Sequence, residues 1–354
     1  MAKTALITGI AGQDGAYLAR LLVDKGYDVH GLVRWDSFPD PMEGLSRLDA
    51  LGLVDDTITL HMGDITDANN INMVVKKVQP NEVYNLASLS QVHVSFDTPS
   101  SVLDINAKGT LNMLEALRVN GIESRCRFYQ ASSSEMFGAA PAPQNEETNM
   151  EPCSPYGAAK LAAYHLARTY RQSYGMHVSN GILFNHESPL RGEDFVTRKI
   201  TKAVTEIEAG SNTVLTLGNL DSLRDWGAAE DYVEGMWRML QQDEPGDYVL
   251  ATGEAHSVRE FVERAFAQIG VTLKWEGQGI DEIATDIKSG RKVVQIDPAL
   301  FRPLEVHHLL GDASKAKEKL GWAPKTTFDD LVGQMVNADR ALLKKDKTSW
   351  KMAG

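Results

Sequence analysis

A chain of 354 residues with 43% hydrophobic content can bury one large core or two unequal ones, which excludes a disordered polymer. Its 48 acidic against 36 basic residues give a formal charge of -12 and a pI near 5.3. That balance excludes bulk nucleic acid and anionic membrane surfaces as partners, so a phosphate must be met by locally clustered Arg and Lys.

Short apolar runs alternate with helical patterns, the signature of a parallel sheet covered by helices. Lys3 to Thr8 reads as the first strand, so close to Met1 that no signal segment is expected. Through a glycine turn it enters a helix ending near Lys25-Gly26. Asp28 to Val33 is the second strand and Thr57 to Met62 the third, followed by Gly63-Asp64. Glu82 to Ala87, Arg127 to Ala131 and Val178 to Leu183 continue the sheet, with Ala- and Leu-rich helices over Val102 to Val119 and Tyr156 to Tyr174. After Phe184 the pattern loosens, and the polar stretch Gly277 to Lys292 reads as a loop. Ser257, with Glu260 three residues on, reads as a capping box, and Thr327 as a second N-cap. These signals predict a Rossmann-like, doubly wound parallel sheet with a smaller C-terminal α/β substrate-binding domain. The first domain spans 1–183 and takes in about 228–255; the second spans 184–227 and 256–343; a frayed tail covers 344–354. No apolar run is long enough to span a bilayer. Cys126 and Cys153 have no metal-type spacing, so no metal site is expected, and packing in a reducing cytoplasm is.

Chemistry concentrates in two places. The turn Gly9-Ile10-Ala11-Gly12-Gln13-Asp14-Gly15 lies between a strand and a helix, where bare glycines let backbone amides approach a pyrophosphate. Its spacing is Gly-x-x-Gly-x-x-Gly, and a glycine turn alone is more often just a turn; its flanks point to dinucleotide binding. Arg34 ends the second strand, where NAD enzymes commonly carry an acid, and it can pair with a 2′-phosphate. NADP is therefore the expected cofactor, against a solvated arginine and an NAD reading through Asp36. Asp64 and Ile65 stand at the level of adenine contacts, though Asp64 or Asp67 could instead cap a helix. The second place is Ala131-Ser132-Ser133-Ser134-Glu135 with Ser154-Pro155-Tyr156-Gly157-Ala158-Ala159-Lys160. On a helix Tyr156 and Lys160 share a face, so the ammonium can favour the phenolate, and Glu135 supplies a second proton acceptor. A Tyr-x-x-x-Lys pair alone is also a solvated helix face.

Together these residues resemble the extended short-chain dehydrogenase/reductase family. Longer strings narrow the resemblance to its GDP-mannose 4,6-dehydratase branch: Gly181-Ile182-Leu183-Phe184-Asn185-His186-Glu187-Ser188-Pro189, Phe195-Val196-Thr197-Arg198-Lys199, Gly218-Asn219-Leu220-Asp221, Arg224-Asp225-Trp226-Gly227 and Ala251-Thr252-Gly253-Glu254. The resemblance implies that Tyr156 is the base at the sugar 4-hydroxyl, Lys160 its activator and ribose ligand, and Ser133 the holder of the C4 oxygen. Glu135 would remove the C5 proton and could protonate the departing 6-hydroxyl. Ser134 matches a serine of this branch where dTDP-glucose dehydratases carry an aspartate. The implied cofactor set is Gly9, Gly12, Gln13, Asp14, Gly15, Arg34, Asp64, Ile65, Leu86, Ala87, Ser90, Lys160, His186 and Arg191. Ser134, Asn185, Lys199, Arg224, Arg302 and Glu305 would hold the GDP-sugar. Hydride would pass from C4 to NADP+, water leave across C5 and C6, and the hydride return at C6. By their types alone, Lys199 and Arg224 are diphosphate clamps or surface ion pairs, and His186 is a hydrogen-bonded loop histidine.

Ser133 stands where the branch usually has threonine, Leu89 and Gln91 replace glutamine and histidine around Ser90, and Ser101 replaces a tyrosine. Trp35-Asp36-Ser37-Phe38-Pro39-Asp40-Pro41 occupies the place of an arginine- and serine-rich loop that reaches a neighbouring subunit in tetramers. A homodimer or homotetramer is expected. The alternative substrate is GDP-manno-heptose, whose extra carbon would use the methyl's space at Ser133. An epimerase or reductase would use Tyr156 but has no need of Glu135, and a non-catalytic NADP-binding regulator would need neither Tyr156 nor Lys160.

Overall fold

Alternation along the first strand sets the layers. In β1 (Thr4–Thr8), Ala5 and Ile7 join Tyr84, Tyr129 and the helices α1 (Gln13–Asp24) and Ala229–Met239 in one buried cluster. Leu6 points the other way and joins Val83, Phe128 and the helices Ala68–Val78, Gly109–Val119 and Pro155–Tyr174. Both faces of the strand are thus buried, as a parallel sheet requires. The computed structural model describes residues 2–34, 43–54, 57–301 and 304–352.

β1 pairs in parallel with β2 (Asp28–Val33) and β4 (Glu82–Asn85). β3 (Thr59–Met62), β5 (Arg127–Ser133), β6 (Val178–Leu183) and the strand Asp247–Leu250 complete seven parallel strands. Their order is Asp247–Leu250, β6, β5, β4, β1, β2, β3, so the winding reverses between β1 and β4. That reversal opens a crevice at the carboxyl ends of the strands, where ligands bind in such sheets.

Beyond β6, the strands Leu273–Glu276, Ile283–Asp286, Lys292–Ile296 and Leu215–Leu217 form a four-stranded mixed sheet. Helices Val196–Glu208, Val258–Ala267 and Phe328–Met352 share a second core with it, including Ile200, Phe261, Phe266, Val294 and Met335. The stretch 277–292, expected as a loop, contains the strand Ile283–Asp286. Ala284 there is fully buried and the ladder runs on both sides, so tertiary pairing overrides polar composition. The helix expected over 102–119 is broken by a π-turn at Asp104–Lys108. The last helix runs through Lys344 to Met352, where the sequence suggested a frayed end.

Ser257 Oγ accepts from Glu260 N at 3.0 Å, while the Glu260 carboxylate meets His256 Nδ1 at 3.1 Å instead of closing the box. Thr327 Oγ1 accepts from Asp330 N at 3.2 Å. Asp67, not Asp64, caps the helix Ala68–Val78; Asp64 accepts from Thr66 N and Oγ1 in a local turn. Cys126 is buried, Cys153 partly so, and both are free. Among the described residues no helix is long and apolar enough to cross a membrane.

Helix Val196–Glu208 is pinned to the last helix within the second core and to the segment 189–191. Arg198 makes a 2.7 Å ion pair with Asp339 of the last helix, and both side chains are less than a tenth exposed. Thr201 Oγ1 donates to the second Asp339 oxygen at 2.7 Å, and Arg198 Nη1 donates to the carbonyls of Pro189 and Arg191. Removing the carboxylate alone strands a buried guanidinium. Asp339→Ala is expected to cost about 3–5 kcal/mol, read as a lower midpoint in urea unfolding, with Arg198→Met/Asp339→Leu recovering much of the loss.

Candidate active site

At the reversal point the turns after β1 and β4 touch. Gly9 has φ of +69°, and a Cβ built there would stand 2.9 Å from Ala87 N. Thr8, fully buried, donates its hydroxyl to Asn85 Oδ1 at 2.8 Å and accepts from Leu86 N and Ala87 N at 3.0 Å each. Gly15 sits so close that a Cβ would meet Gly9 O at 2.3 Å. Gly12 is the N-cap of α1 with no side chain capping it, and a Cβ there would meet only Gly9 O, at 3.2 Å. The open first-turn amides of α1 therefore face the crevice, a cradle fitted to a phosphate.

The crevice measures about 1170 Å³, above the roughly 300–1,000 Å³ of a pocket for one small ligand. Arg34, Asp64 and Ile65 lie in its wall with Leu86, Ala87 and Ser90, and so do Ser133, Ser134, Glu135, Tyr156 and Lys160 at its centre. The central five residues are all buried. Ser154 Oγ accepts from Gly157 N at 3.0 Å and starts the helix carrying Tyr156 and Lys160. Gly157 is required by a close approach: a Cβ there would stand 2.6 Å from Glu135 O. That contact brings the helix start against the turn Ser134–Met136, whose Glu135 N donates to Ser133 Oγ at 3.2 Å.

Burial pushes the Tyr156 phenol up to about 12; the neighbouring Ser133 hydroxyl, Arg191 and Ser88 pull it down by less, and Glu135 adds to the rise. Burial lowers Lys160 to about 8, opposed by Asp14. The expected ammonium–phenolate pairing is not what the side chains make: Lys160 Nζ donates to Ala131 O at 3.0 Å and stands 5.7 Å from the Tyr156 ring centre.

Across the crevice, Asn185–Glu187 pairs with Trp226–Ala228 and carries His186. The imidazole donates from Nδ1 to Phe184 O at 2.7 Å and from Nε2 to Asp14 Oδ2 at 2.8 Å, and stacks on Tyr232 at 4.7 Å. Burial works against both charges, but the pairing prevails: Asp14 is lowered to about 2 and His186 is raised. Gln13 Nε2 donates to Asp14 and to His186 O, closing the seam between α1 and this segment. Arg191 Nε lies 3.0 Å from Glu187 Oε2, and its guanidinium stacks on Phe195 at 3.6 Å.

At the far end Arg224 and Glu305 form a 3.0 Å ion pair in the crevice wall, near Lys199. Asn185 Oδ1 is buried with no hydrogen-bond partner. Arg302, Asp36 and the segment 35–41 lie outside the described residues. Every other expected site residue lines the crevice. Ser101, noted for a missing tyrosine, is exposed and outside that wall.

Several contributors escaped the sequence reading. Asn106, in the π-turn, accepts from Leu89 N at 3.2 Å and donates to Leu89 O at 3.4 Å, which holds the strap beside Tyr156. Ser88 Oγ is buried near the same phenol and favours its ionised form. Arg47 enters the wall from beyond the 35–41 segment. Only Thr8, directly before Gly9, carried a positional signal. Among the described residues no cluster of three His, Cys, Asp or Glu could hold a metal ion.

The sequence profile described as GDP-mannose 4,6 dehydratase matches residues 6–335. A GDP-mannose 4,6-dehydratase of Sinorhizobium fredii is 54% identical over 97% of this chain and 98% of its own length. The human GDP-mannose 4,6 dehydratase is 48% identical over 97% of this chain and 92% of its own length. A Thermus thermophilus UDP-glucose 4-epimerase solved with NAD shares the fold at a TM-score of 0.77 and 24% identity, over 95% and 99% of the two chains. RMD from Pseudomonas aeruginosa, solved with NADPH, does so at 0.74 and 21%, over 96% and 100%.

The Asp14–His186 pair carries a pH signature. Asp14, lowered to about 2, contributes stability above its unfolded value of about 4 and loses it as pH falls through the interval between. His186 is raised, so its contribution is full below its unfolded value of about 6.5 and fades as pH rises through the raised one. Asp14→Asn is expected to lower the His186 pKa, followed by NMR titration with labelled histidine, and to flatten both limbs of the stability profile.

Proposed function

Since the chain belongs to the GDP-mannose 4,6-dehydratase family, we propose that it converts GDP-mannose to GDP-4-keto-6-deoxy-mannose in this crevice. The carrying observation is the burial of Ser133, Glu135, Tyr156 and Lys160 together beside the glycine cradle of α1. A nicotinamide dinucleotide, NADP in this reading, would supply the hydride chemistry that links oxidation at sugar C4 to reduction at C6. Gly9, Gly12 and Gly15 would let the α1 amides hold its pyrophosphate, Arg34 would pair with a 2′-phosphate, and Asp64 and Ile65 would contact the adenine.

Tyr156 takes the 4-hydroxyl proton and Ser133 holds that oxygen. Lys160, anchored on Ala131 O, orients the ribose. The 4-ketone acidifies the C5 hydrogen, which Glu135 removes, and the same carboxyl group protonates the departing 6-hydroxyl; C5 regains a proton from solvent as C6 is reduced, and the proton taken up at Tyr156 returns to solvent, so the protons balance. Two groups are needed because the protons sit on different carbons and one base cannot align with both. Ser134, Asn185, Lys199, Arg224, Arg302 and Glu305 hold the GDP-sugar. The unpartnered Asn185 Oδ1 supports this, because a buried acceptor without a donor costs free energy unless a ligand supplies one. An epimerase or simple reductase leaves Glu135 without work. Two unpaired cysteines fit a reducing cytoplasm.

Tyr156→Phe is expected to lower reduction of bound cofactor by at least about 100-fold in single-turnover absorbance at the nicotinamide band. Glu135→Gln should still reduce cofactor when GDP-mannose is added, yet release almost no 4-keto-6-deoxy product by NMR. Normal turnover by Glu135→Gln would remove that carboxylate from the mechanism.

Arg34 lies in the crevice wall at the end of β2. Calorimetric titration is expected to give tighter binding of NADP than NAD, with Arg34→Ala erasing most of the difference. Equal affinities in the parent would overturn the NADP assignment and make Asp36 the residue to test as a ribose ligand.

A further inference from the structure

Three guanidinium groups gather where the α1 turn meets the segment 188–192. Arg198 is neutralised by Asp339, and Arg191 lies 3.0 Å from the Glu187 carboxylate. Arg47 is different. Its Nε donates to Leu190 O at 2.7 Å and its Nη1 to Ala11 O at 3.3 Å, and among the described residues no carboxylate lies within ion-pair distance. A Cβ built at Gly192 would stand 3.6 Å from its Nη2, so the guanidinium is bracketed between the glycine turn and the loop that carries Arg191. Burial, Arg198 and Arg191 all disfavour its charge. In a chain of net charge -12, an unneutralised, partly buried guanidinium beside a second arginine is an anion site in waiting.

We propose that Arg47 is a ligand of the cofactor's pyrophosphate, completing the cradle made by the α1 amides. The assignment rests on the dinucleotide reading given above. It selects the pyrophosphate over the 2′-phosphate because Arg47 is bonded to Ala11, inside the turn whose amides face the crevice, whereas Arg34 ends β2 where a ribose 2′-substituent lies. The competing role is a structural staple: two neutral carbonyl contacts that join the turn to the loop and involve no ligand.

Charge separates the two. Binding of NAD, NADP and ADP-ribose is measured by calorimetry for the parent, Arg47→Ala, Arg47→Gln and Arg47→Lys, with thermal midpoints taken alongside. Loss of a charge-assisted contact predicts that Arg47→Ala and Arg47→Gln weaken all three ligands by a similar factor, about tenfold or more. Arg47→Lys should recover part of the affinity. A parent-like Arg47→Gln, which keeps N–H donors without the charge, would overturn the proposal in favour of the staple. A loss confined to NADP would overturn the choice of pyrophosphate. A parent that binds none of the three ligands would instead remove the dinucleotide reading, and this one with it.

Discussion

Everything in the crevice depends on one buried hydroxyl. Thr8 Oγ1 donates to Asn85 and accepts from the amides of Leu86 and Ala87, so the turns after β1 and β4 are locked edge to edge where the winding reverses. The lock works because Gly9 has no Cβ to hold Ala87 away. Asn85 passes the constraint on through Thr110 and Gln130 to β5, the strand that ends in Ser133. The floor of the cofactor cradle and the approach to Glu135 are therefore one hydrogen-bonded unit. A residue that loosened it would misplace both ends together.

The opposite wall is built from short pieces that no single core holds. His186 lies on one two-stranded ladder and Arg224 on another, each two or three residues long. Ladders so short have little stability of their own, and polar ties take over: Asp14 to His186, Gln13 to His186 O and Ser188, and Arg198 to the carbonyls of Pro189 and Arg191. Placing an aspartate in the first turn of α1, beside a phosphate cradle, looks contrary to anion binding. Its charge is matched by His186, so what it contributes is a fixed position for that wall. The same logic explains the reach of Asp339: a carboxylate on the last helix fixes a guanidinium that in turn fixes the loop before Arg191.

The central sheet was legible because short strand-like segments carrying apolar residues alternate with helical patterns, and because Gly9, Gly12 and Gly15 mark a turn where backbone comes close. Tyr156 and Lys160 were legible from helical spacing. What stayed hidden depends on contacts far apart in sequence. The strand Ile283–Asp286 forms only because neighbours pair with it on both sides. The π-turn at Asp104–Lys108 reads as ordinary helix until Asn106 is seen clamping Leu89. Arg47 sits in a five-residue helix with no motif around it, and only the fold brings it to Ala11.

Spacing also promised more than it could deliver at Tyr156. Four residues put Tyr156 and Lys160 on one helix face, but a shared face does not fix where a long side chain ends. Lys160 donates to the carbonyl of Ala131, and burial leaves it near 8 with the phenol near 12. The protein's own groups thus leave the phenol protonated at neutral pH. Ser133, Arg191 and Ser88 favour the phenolate, and burial outweighs all three. A buried phenol of this kind acts as a base only once its own proton has left the site, and Ser133, Arg191 and Ser88 are the groups that favour the phenolate so formed.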